Sequence, residues 1–167
     1  MLVYSWIDAE KPLKAAKDGF ALDKFNLLED IYQFLDEITN AHESASLHNI
    51  GESSEGRPLQ VLKITKNDNN PAIFIEANIH AREWISSATA IWLINEILTS
   101  TDDDVRSVVD SVTWYILPVT NPDGYSYTHD ADGDRLWRKT RSRHNIFCRG
   151  ADPNRNFGYN WMSELLI

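Results

Sequence analysis

The sequence predicts an α/β fold with a mixed, partly parallel sheet flanked by helices. Residues 72–77 and 112–119 are predicted to be buried strands because their side chains are mostly apolar. Segments with the 3.6-residue apolar period of helices lie before residues 72–77 and between the two buried strands. Alternation of buried strands and amphipathic helices is typical of α/β proteins with partly parallel sheets.

The first 22 residues are predicted to form a peripheral linker. Pro12 lies among three lysines, and Gly19 interrupts any regular period. Exposed lysines in this segment would suit trypsin-like cleavage, or they form a solvated basic face.

The first helix is predicted to begin at Asn26, with Glu29 as its capping-box partner. Its core-facing stripe is formed by Leu27, Leu28, Ile31, Phe34, Leu35 and Ile38. His42 and His48 follow in a polar stretch, and neither has a second donor at metal-ligand spacing. No functional role is predicted for these two histidines.

Two strands are predicted after a turn-rich connection at residues 51–58. Residues 59–65 alternate as a strand, residues 66–71 form a turn, and residues 72–77 return as a more buried strand.

A long helix and a short helix are predicted between the two buried strands. The long helix, residues 84–98, has a broad apolar surface formed by Ile85, Ala88, Ile91, Trp92, Ile94, Ile97 and Leu98. The short one begins with Asp102 to Asp104, whose carboxylates suit a helix N-terminus, and carries Val105, Val108 and Val109.

Composition excludes several classes of protein. The 16 basic and 25 acidic residues give a formal charge of -9, which disfavours general binding to nucleic acids. No apolar run reaches the ~18 residues that a membrane span needs. Residues 1–7 are too short for the apolar region of a signal peptide. Cys148 is the sole cysteine, so it has no disulfide partner within the chain.

His80 and Glu83 are the first candidate site. They follow the predicted strand 72–77 and precede the predicted long helix, so they lie where α/β sheets bind ligands. Residues three apart on a helical turn share one side, and a histidine with a carboxylate suits zinc. By itself this spacing is also compatible with two surface charges at a helix N-terminus.

Four further polar segments follow. Residues 121–125 (NPDGY) are predicted to form a turn directly after the second buried strand, and residues 130–134 a hairpin tip. A calcium loop is disfavoured at 130–134 because Gly133 is misplaced for an EF-hand. Six cationic residues then surround Trp137: Arg135, Arg138, Lys139, Arg141, Arg143 and Arg149. They indicate either contact with nucleic acid or recognition of a carboxylate or oxyanion, and the net charge favours the second.

The last polar cluster is Asp152 to Asn156. Arg155 can bind a planar carboxylate through two parallel hydrogen bonds, and Asn154 beside it can donate from its side-chain amide. A salt-bridged loop is the alternative interpretation.

Together, HAREW at residues 80–84, NPDGY at 121–125, LWRKTR at 136–141 and GADPNRN at 150–156 resemble the zinc metallocarboxypeptidases of the A/B type. The resemblance extends from about residue 24 to residue 161. Ile7 to Lys17 is similar to the end of the family's activation propeptide, which implies a propeptide tail or activation linker at 1–22 and a catalytic-domain segment at 23–167. It also implies a secreted zymogen, a monomer, one Zn²⁺ ion, and a peptide or protein substrate with a free C-terminus. Neither nucleic acid nor membrane is expected as a partner.

The resemblance assigns a role to each matching residue. His80 and Glu83 match the first two zinc ligands of a set of two histidines and a glutamate, and Arg138 matches the arginine that stabilises the oxyanion. Asn154 and Arg155 match the pair that binds the terminal carboxylate of the substrate. The remaining two matches are Arg82, a subsite arginine, and Asp152, a carboxylate that hydrogen-bonds the first zinc histidine.

The sequence departs from the family pattern after residue 156. The third zinc ligand should be a downstream histidine, but no histidine follows His144, and only Glu164 is present where a later glutamate should act as general base. We therefore expect the fold to be truncated at its C-terminal side, with the disulfide partner of Cys148 in the missing part. The chain would be the N-terminal half of a catalytic domain and inactive alone. The alternative is a non-catalytic binder of peptide C-terminal carboxylates.

Overall fold

A four-stranded mixed sheet forms the centre of the computed structural model, which describes residues 20–143 and 148–158. Its strands are β1 (Ala45–Glu52), β2 (Pro58–Ile64), β3 (Ala72–Glu76) and β4 (Thr113–Leu117), in the spatial order β1-β2-β4-β3. The β1/β2 and β2/β4 pairs are antiparallel, whereas β3 and β4 are parallel. The prediction of a mixed, partly parallel sheet is confirmed.

Four α-helices accompany the sheet in the described part of the chain: α1 (Leu28–Ala41), α2 (Trp84–Thr99), α3 (Asp103–Val109) and α4 (Pro122–His129). A 3₁₀ turn spans Pro153–Arg155. Buried residues of α1 and α2 share one apolar core with Leu62 and Ile64 of β2 and Ile116 of β4. Within residues 20–143 and 148–158, no helix is both long and apolar enough to cross a membrane.

The start of α1 differs from the prediction. The capping box does not form, because the helix begins at Leu28 and the Asn26 amide instead donates to the Ala21 carbonyl at 2.9 Å. Leu27 is exposed, but the rest of the predicted stripe is buried. The propeptide and linker prediction for 1–22 falls largely on residues 1–19, outside the described residues. Of the remainder, Phe20 and Leu22 pack against the core.

β1 was missed because most of its side chains are exposed on an edge strand, which removes the apolar alternation that predicts strands. The chain around His48 is therefore strand, and the predicted turn at 51–58 is confined to residues 53–57.

The predicted neighbours 59–65 and 72–77 are not adjacent, because β4 lies between β2 and β3. The prediction that 72–77 is buried is also wrong. β3 is an edge strand of the described sheet, and Ile73 and Phe74 are 41% and 55% exposed. By contrast β4, the predicted strand at 112–119, is largely buried.

Both helices between β3 and β4 are confirmed, with narrower buried faces than predicted. Ile85 and Trp92 on α2, and Val105 and Val108 on α3, are exposed. The Asp102 carboxylate caps α3 by accepting from two backbone N–H groups.

Residues 121–125 begin α4 rather than forming an isolated turn. The Asn121 side chain caps the helix by accepting from the Gly124 N–H at 3.1 Å, and Pro122 occupies the first turn. Asn and Pro are typical of turns and of helix starts alike, so composition alone could not separate the two. Residues 130–134 form a turn after α4, not a hairpin tip.

Candidate functional site

The loops that follow β3 and β4 are joined at the carboxyl end of these parallel strands. The Thr120 N–H donates to the Ala77 carbonyl at 2.9 Å, and the Asn121 N–H donates to the Asn78 carbonyl at 3.2 Å. His80 and Glu83 therefore lie at the sheet edge where α/β proteins bind ligands, as predicted.

His80 and Glu83 lie on one tight turn that leads into α2. The Glu83 N–H donates to the His80 carbonyl at 3.1 Å, which closes the turn. His80 is 5% exposed, and its Nδ1 lies 3.1 Å from Glu83 Oε1. The imidazole and the carboxylate thus converge on the same small region.

Asp152 contacts the opposite side of the His80 ring. Its Oδ1 lies 3.2 Å from His80 Nε2, and its Oδ2 accepts from Arg138 Nε at 3.0 Å. Burial raises the pKa of Asp152, but hydrogen bonds from Arg138 and His80 outweigh this and hold the pKa below its usual range. An ionised Asp152 accepts a hydrogen bond from His80 when the ring proton is on Nε2, and in that tautomer Nδ1 carries a free lone pair.

The lone pair of Nδ1 and the Glu83 carboxylate then face each other at 3.1 Å. Two electron donors this close require a second proton on His80 or a cation between them. Histidine nitrogen and carboxylate oxygen are standard zinc ligands, so the pair fits a zinc ion. The described residues contain no group of three His, Cys, Asp or Glu side chains that could hold a metal, and Asp152 is on the wrong side of the ring to be a third ligand.

Arg138 is attached to this turn twice. Its Nη1 lies 3.7 Å from Glu83 Oε1, and its carbonyl accepts from the Ala81 N–H at 3.2 Å. The guanidinium is therefore held between Glu83 and Asp152, beside the region where His80 and Glu83 converge.

Other cations of the 135–149 cluster have different partners. The Arg135 guanidinium stacks 3.6 Å from the Trp84 ring and donates to the Arg82 carbonyl. Arg141 stacks on Tyr127, and Lys139 donates to the Arg149 carbonyl. Among the described cations of this cluster, Arg138 is the one that forms an ion pair with Glu83.

Arg82, Asn154 and Arg155 have exposed side chains. Arg82 belongs to the turn itself. Asn154 and Arg155 lie on the 3₁₀ turn capped by Asp152, and the Arg155 guanidinium donates to the Asn154 carbonyl at 2.8 Å. Among described residues, none of these three side chains forms a hydrogen bond or an ion pair with His80 or Glu83.

Asn121 is a connecting residue that the sequence analysis missed. Its amide donates to the Ile79 carbonyl at 3.4 Å and the Lys139 carbonyl at 3.0 Å, so it joins the His80 turn to the segment that carries Arg138. Nearby, a Cβ on Gly124 would lie 2.7 Å from Ala81 Cβ, which explains why glycine is needed there. The NPDGY motif, which contains Asn121 and Gly124, was the sequence signal that could have identified these residues.

Asp123 in the same motif was also missed. Its buried carboxylate accepts from the hydroxyls of Ser53 and Ser54, the Glu55 N–H and the Arg57 guanidinium at 2.6–3.0 Å. It thereby holds the β1–β2 loop against the start of α4.

Comparison with known families agrees with this geometry. A family model described as zinc carboxypeptidase matches residues 31–166. The chain belongs to the zinc carboxypeptidase family. Zinc carboxypeptidases are hydrolases, and the mixed α/β fold described above matches part of a carboxypeptidase structure.

The zinc carboxypeptidase relatives are longer than this chain. A zinc carboxypeptidase of Simulium vittatum is 45% identical over 143 residues, which cover 84% of this chain and 46% of the relative. Mouse carboxypeptidase A2 is 43% identical, with 86% and 35% covered. The structure of Helicoverpa armigera carboxypeptidase A superposes with a TM-score of 0.78 at 30% identity, covering 89% of this chain and 37% of that one. The chain therefore spans less than half the length of these relatives.

Proposed function

We propose that this chain carries part of the zinc site and the carboxylate-binding residues of a metallocarboxypeptidase, which hydrolyses the last peptide bond of peptides and proteins. The observation that supports it best is the convergence of His80 Nδ1 and Glu83 Oε1 at 3.1 Å, with the other ring nitrogen oriented by Asp152. A histidine oriented in this way is typical of metal ligands.

In this proposal His80 and Glu83 hold one Zn²⁺ ion. When bound, the ion would supply an activated water and polarise the scissile carbonyl. Asp152 keeps the proton on Nε2, so Nδ1 remains available as a ligand. No histidine follows His144 and only Glu164 follows Asn156, so the third ligand and the general base are proposed to lie outside residues 1–167.

The arginines provide the remaining chemistry. Arg138 is partly exposed beside Glu83 and donates toward the region where negative charge develops on the carbonyl oxygen. Asn154 and Arg155 bind the free carboxylate of the last residue, which makes the enzyme act only at C-termini. Arg82 contacts the substrate further from its terminus.

We also propose that residues 1–22 are the end of an activation propeptide in a secreted zymogen. The support is the resemblance of Ile7 to Lys17 to such a segment. Limited trypsin digestion followed by mass analysis tests it. We expect the first cleavage at Lys14 or Lys17, and first cleavage at lysines outside residues 1–22 contradicts the proposal.

The zinc site is tested by titrating the purified chain with Zn²⁺ in a calorimeter. We expect one weak site, because two protein ligands bind zinc less tightly than three. His80→Ala and Glu83→Gln should each abolish it. His48→Ala is the matched control, since His48 is exposed on β1, where it pairs with Ser46. Equal binding by wild type and His80→Ala contradicts the proposal. Zinc-dependent release of C-terminal residues by the 167-residue chain contradicts the proposal that the third ligand and the general base lie outside residues 1–167.

The second candidate function is binding of peptide C-termini without cleavage. It is favoured by one observation. Asn154 and Arg155 are exposed and can reach a carboxylate, whereas the described residues supply only two of the three protein ligands that a catalytic zinc site needs. Binding of a fluorescent peptide with a free C-terminus, compared with its amidated form, tests carboxylate capture. Amidation and Arg155→Gln should each reduce binding at least tenfold, and Arg149→Gln is the control on an exposed arginine of the neighbouring segment. Equal binding of both peptides excludes carboxylate capture.

A further inference from the structure

Asn78 lies buried beneath the turn that carries His80 and Glu83. It is 2% exposed and has a φ of 57°, the left-handed region that few side chains other than asparagine tolerate. Neither its burial nor its backbone conformation is signalled by the sequence around it.

The Asn78 side chain interacts with the backbone of the turn. Its Nδ2 lies 3.3 Å from each of three carbonyl oxygens, those of His80, Ala81 and Glu83. Three acceptors on one side require a donor, so the amide nitrogen and not the oxygen must face them. The two N–H groups are shared among the three carbonyls.

The backbone of Asn78 reinforces this arrangement. Its N–H donates to the Ser86 hydroxyl at 3.0 Å, and that hydroxyl donates to the Glu83 carbonyl at 2.7 Å. Asn78 therefore reaches the Glu83 peptide by two routes, one through its side chain and one through Ser86.

We infer that Asn78 is a positioning residue that fixes the turn so that His80 Nδ1 and Glu83 Oε1 converge on one cation. Two of the three carbonyls belong to the two proposed ligand residues, so holding these peptide groups sets the directions in which both side chains leave the backbone. This inference deepens the proposed zinc site and rests on it. Asn78 itself touches neither ligand side chain among the contacts described.

Two features of Asn78 oppose stability and make its role testable. The left-handed conformation is unfavourable for a residue with a side chain, and Asn78 Oδ1 is buried without a partner in the described part of the chain. Asn78→Gly removes both disadvantages together with the three hydrogen bonds. We therefore expect this variant to unfold within a few degrees of the wild type and to lose metal affinity.

The test is calorimetric titration of the 167-residue chain with Zn²⁺. Asn78→Gly should bind at least tenfold more weakly than the wild type. Asn78→Asp should bind more weakly still, because it keeps the side-chain shape but places oxygen against three carbonyl oxygens. Asn70→Gly is the matched control, since the Asn70 amide donates to the Asp110 carbonyl at 2.8 Å, away from this turn. It should lose stability without changing zinc affinity.

The outcomes separate this inference from the proposed function. Zinc affinity of Asn78→Gly within twofold of the wild type overturns the inference and leaves the zinc site intact. If the wild type itself binds no zinc, the proposed site fails and hydrogen exchange decides the role of Asn78. The amides of Ala81 and Glu83 should exchange at least tenfold faster in Asn78→Gly, and unchanged exchange overturns the inference.

Discussion

At the scale of single residues, Asp152 connects three parts of the candidate site. Its carboxylate contacts the His80 ring and the Arg138 guanidinium, and it accepts from the Asn154 N–H at 3.1 Å. One ionised group therefore orients a proposed ligand, a proposed oxyanion donor and the turn that carries Asn154. Hydrogen bonds from charged donors favour the ionised form, in agreement with the lowered pKa of Asp152.

We predict that Asp152→Asn lowers the zinc affinity of the chain by about 10- to 100-fold, as removal of such partners does in other metal sites. The amide oxygen can still face His80, but the amide nitrogen then faces Arg138, and the negative charge is lost. Calorimetric titration with Zn²⁺ measures the effect. Asp130→Asn, in the exposed turn after α4, should bind zinc as the wild type does. An unchanged affinity in Asp152→Asn would show that Asp152 has no part in orienting His80.

At the scale of elements, the start of α4 is where the loop between β1 and β2 is attached. Burial raises the pKa of Asp123, but hydrogen bonds from Ser53, Arg57, Ser54 and the Glu55 N–H together lower it below its usual range. The neighbouring Asn121 contacts the His80 turn. The first turn of α4 therefore holds the β1–β2 loop on one side and the candidate site on the other.

We predict that Asp123→Asn destabilises the chain by about 1–3 kcal/mol near neutral pH, because the amide nitrogen faces donors that the carboxylate had satisfied. A carboxylate whose pKa is lower in the folded state stabilises fully above its unfolded pKa of about 3.9, and that stabilisation is lost as the pH falls through the folded pKa. The gap between variant and wild type should therefore shrink in acid.

Urea unfolding at a series of pH values measures this gap. Asp68→Asn is the control, because Asp68 forms an exposed ion pair with Lys63 and its loss should cost less stability than the loss of Asp123. A gap that stays constant below pH 4 would contradict the role of the ionised Asp123.

At the scale of the whole molecule, the sheet is buried at β4 and exposed at β3. Ile116 in β4 is 0% exposed, whereas Ile73 in the adjacent strand is 41% exposed. Both residues are isoleucines, and β3 and β4 are neighbouring strands. The difference in exposure therefore comes from the position of each strand in the sheet and not from residue type. Exposed apolar side chains on an edge strand contribute little to the free energy of folding.

We predict that Ile116→Ala costs about 2–5 kcal/mol of unfolding free energy, as expected for a fully buried isoleucine. Ile73→Ala should cost less than half as much, because its side chain is already partly in water. Urea unfolding of both variants makes this comparison with an identical substitution. Equal losses would mean that β3 is covered in solution, and a dependence of the unfolding midpoint on protein concentration would identify a second copy as the cover.

Local pattern was sufficient for α2, α3 and β4, but not for α4, whose first residues were predicted to form a turn. The apolar period of α2, the carboxylates that begin α3 and the apolar run of β4 are features of consecutive residues, so the sequence contained them. The stripe of α1 was predicted, but its capping box was not formed, since Asn26 found a partner outside the helix. β1 could not be predicted, because an exposed edge strand lacks the alternation on which strand prediction depends.

The sequence by itself determined the family, the α/β class and the choice of His80, Glu83, Arg138 and Asp152 as candidates, because each motif is carried by neighbouring residues. Only the tertiary structure decided that β4 separates β2 from β3 and that Arg138 alone, among the described cations of its cluster, faces Glu83. It also revealed Asn78 and Asp123, whose partners lie on backbone groups and loops that no side-chain pattern encodes. Contacts of this kind depend on how the chain returns on itself in space, and one sequence read residue by residue does not specify them.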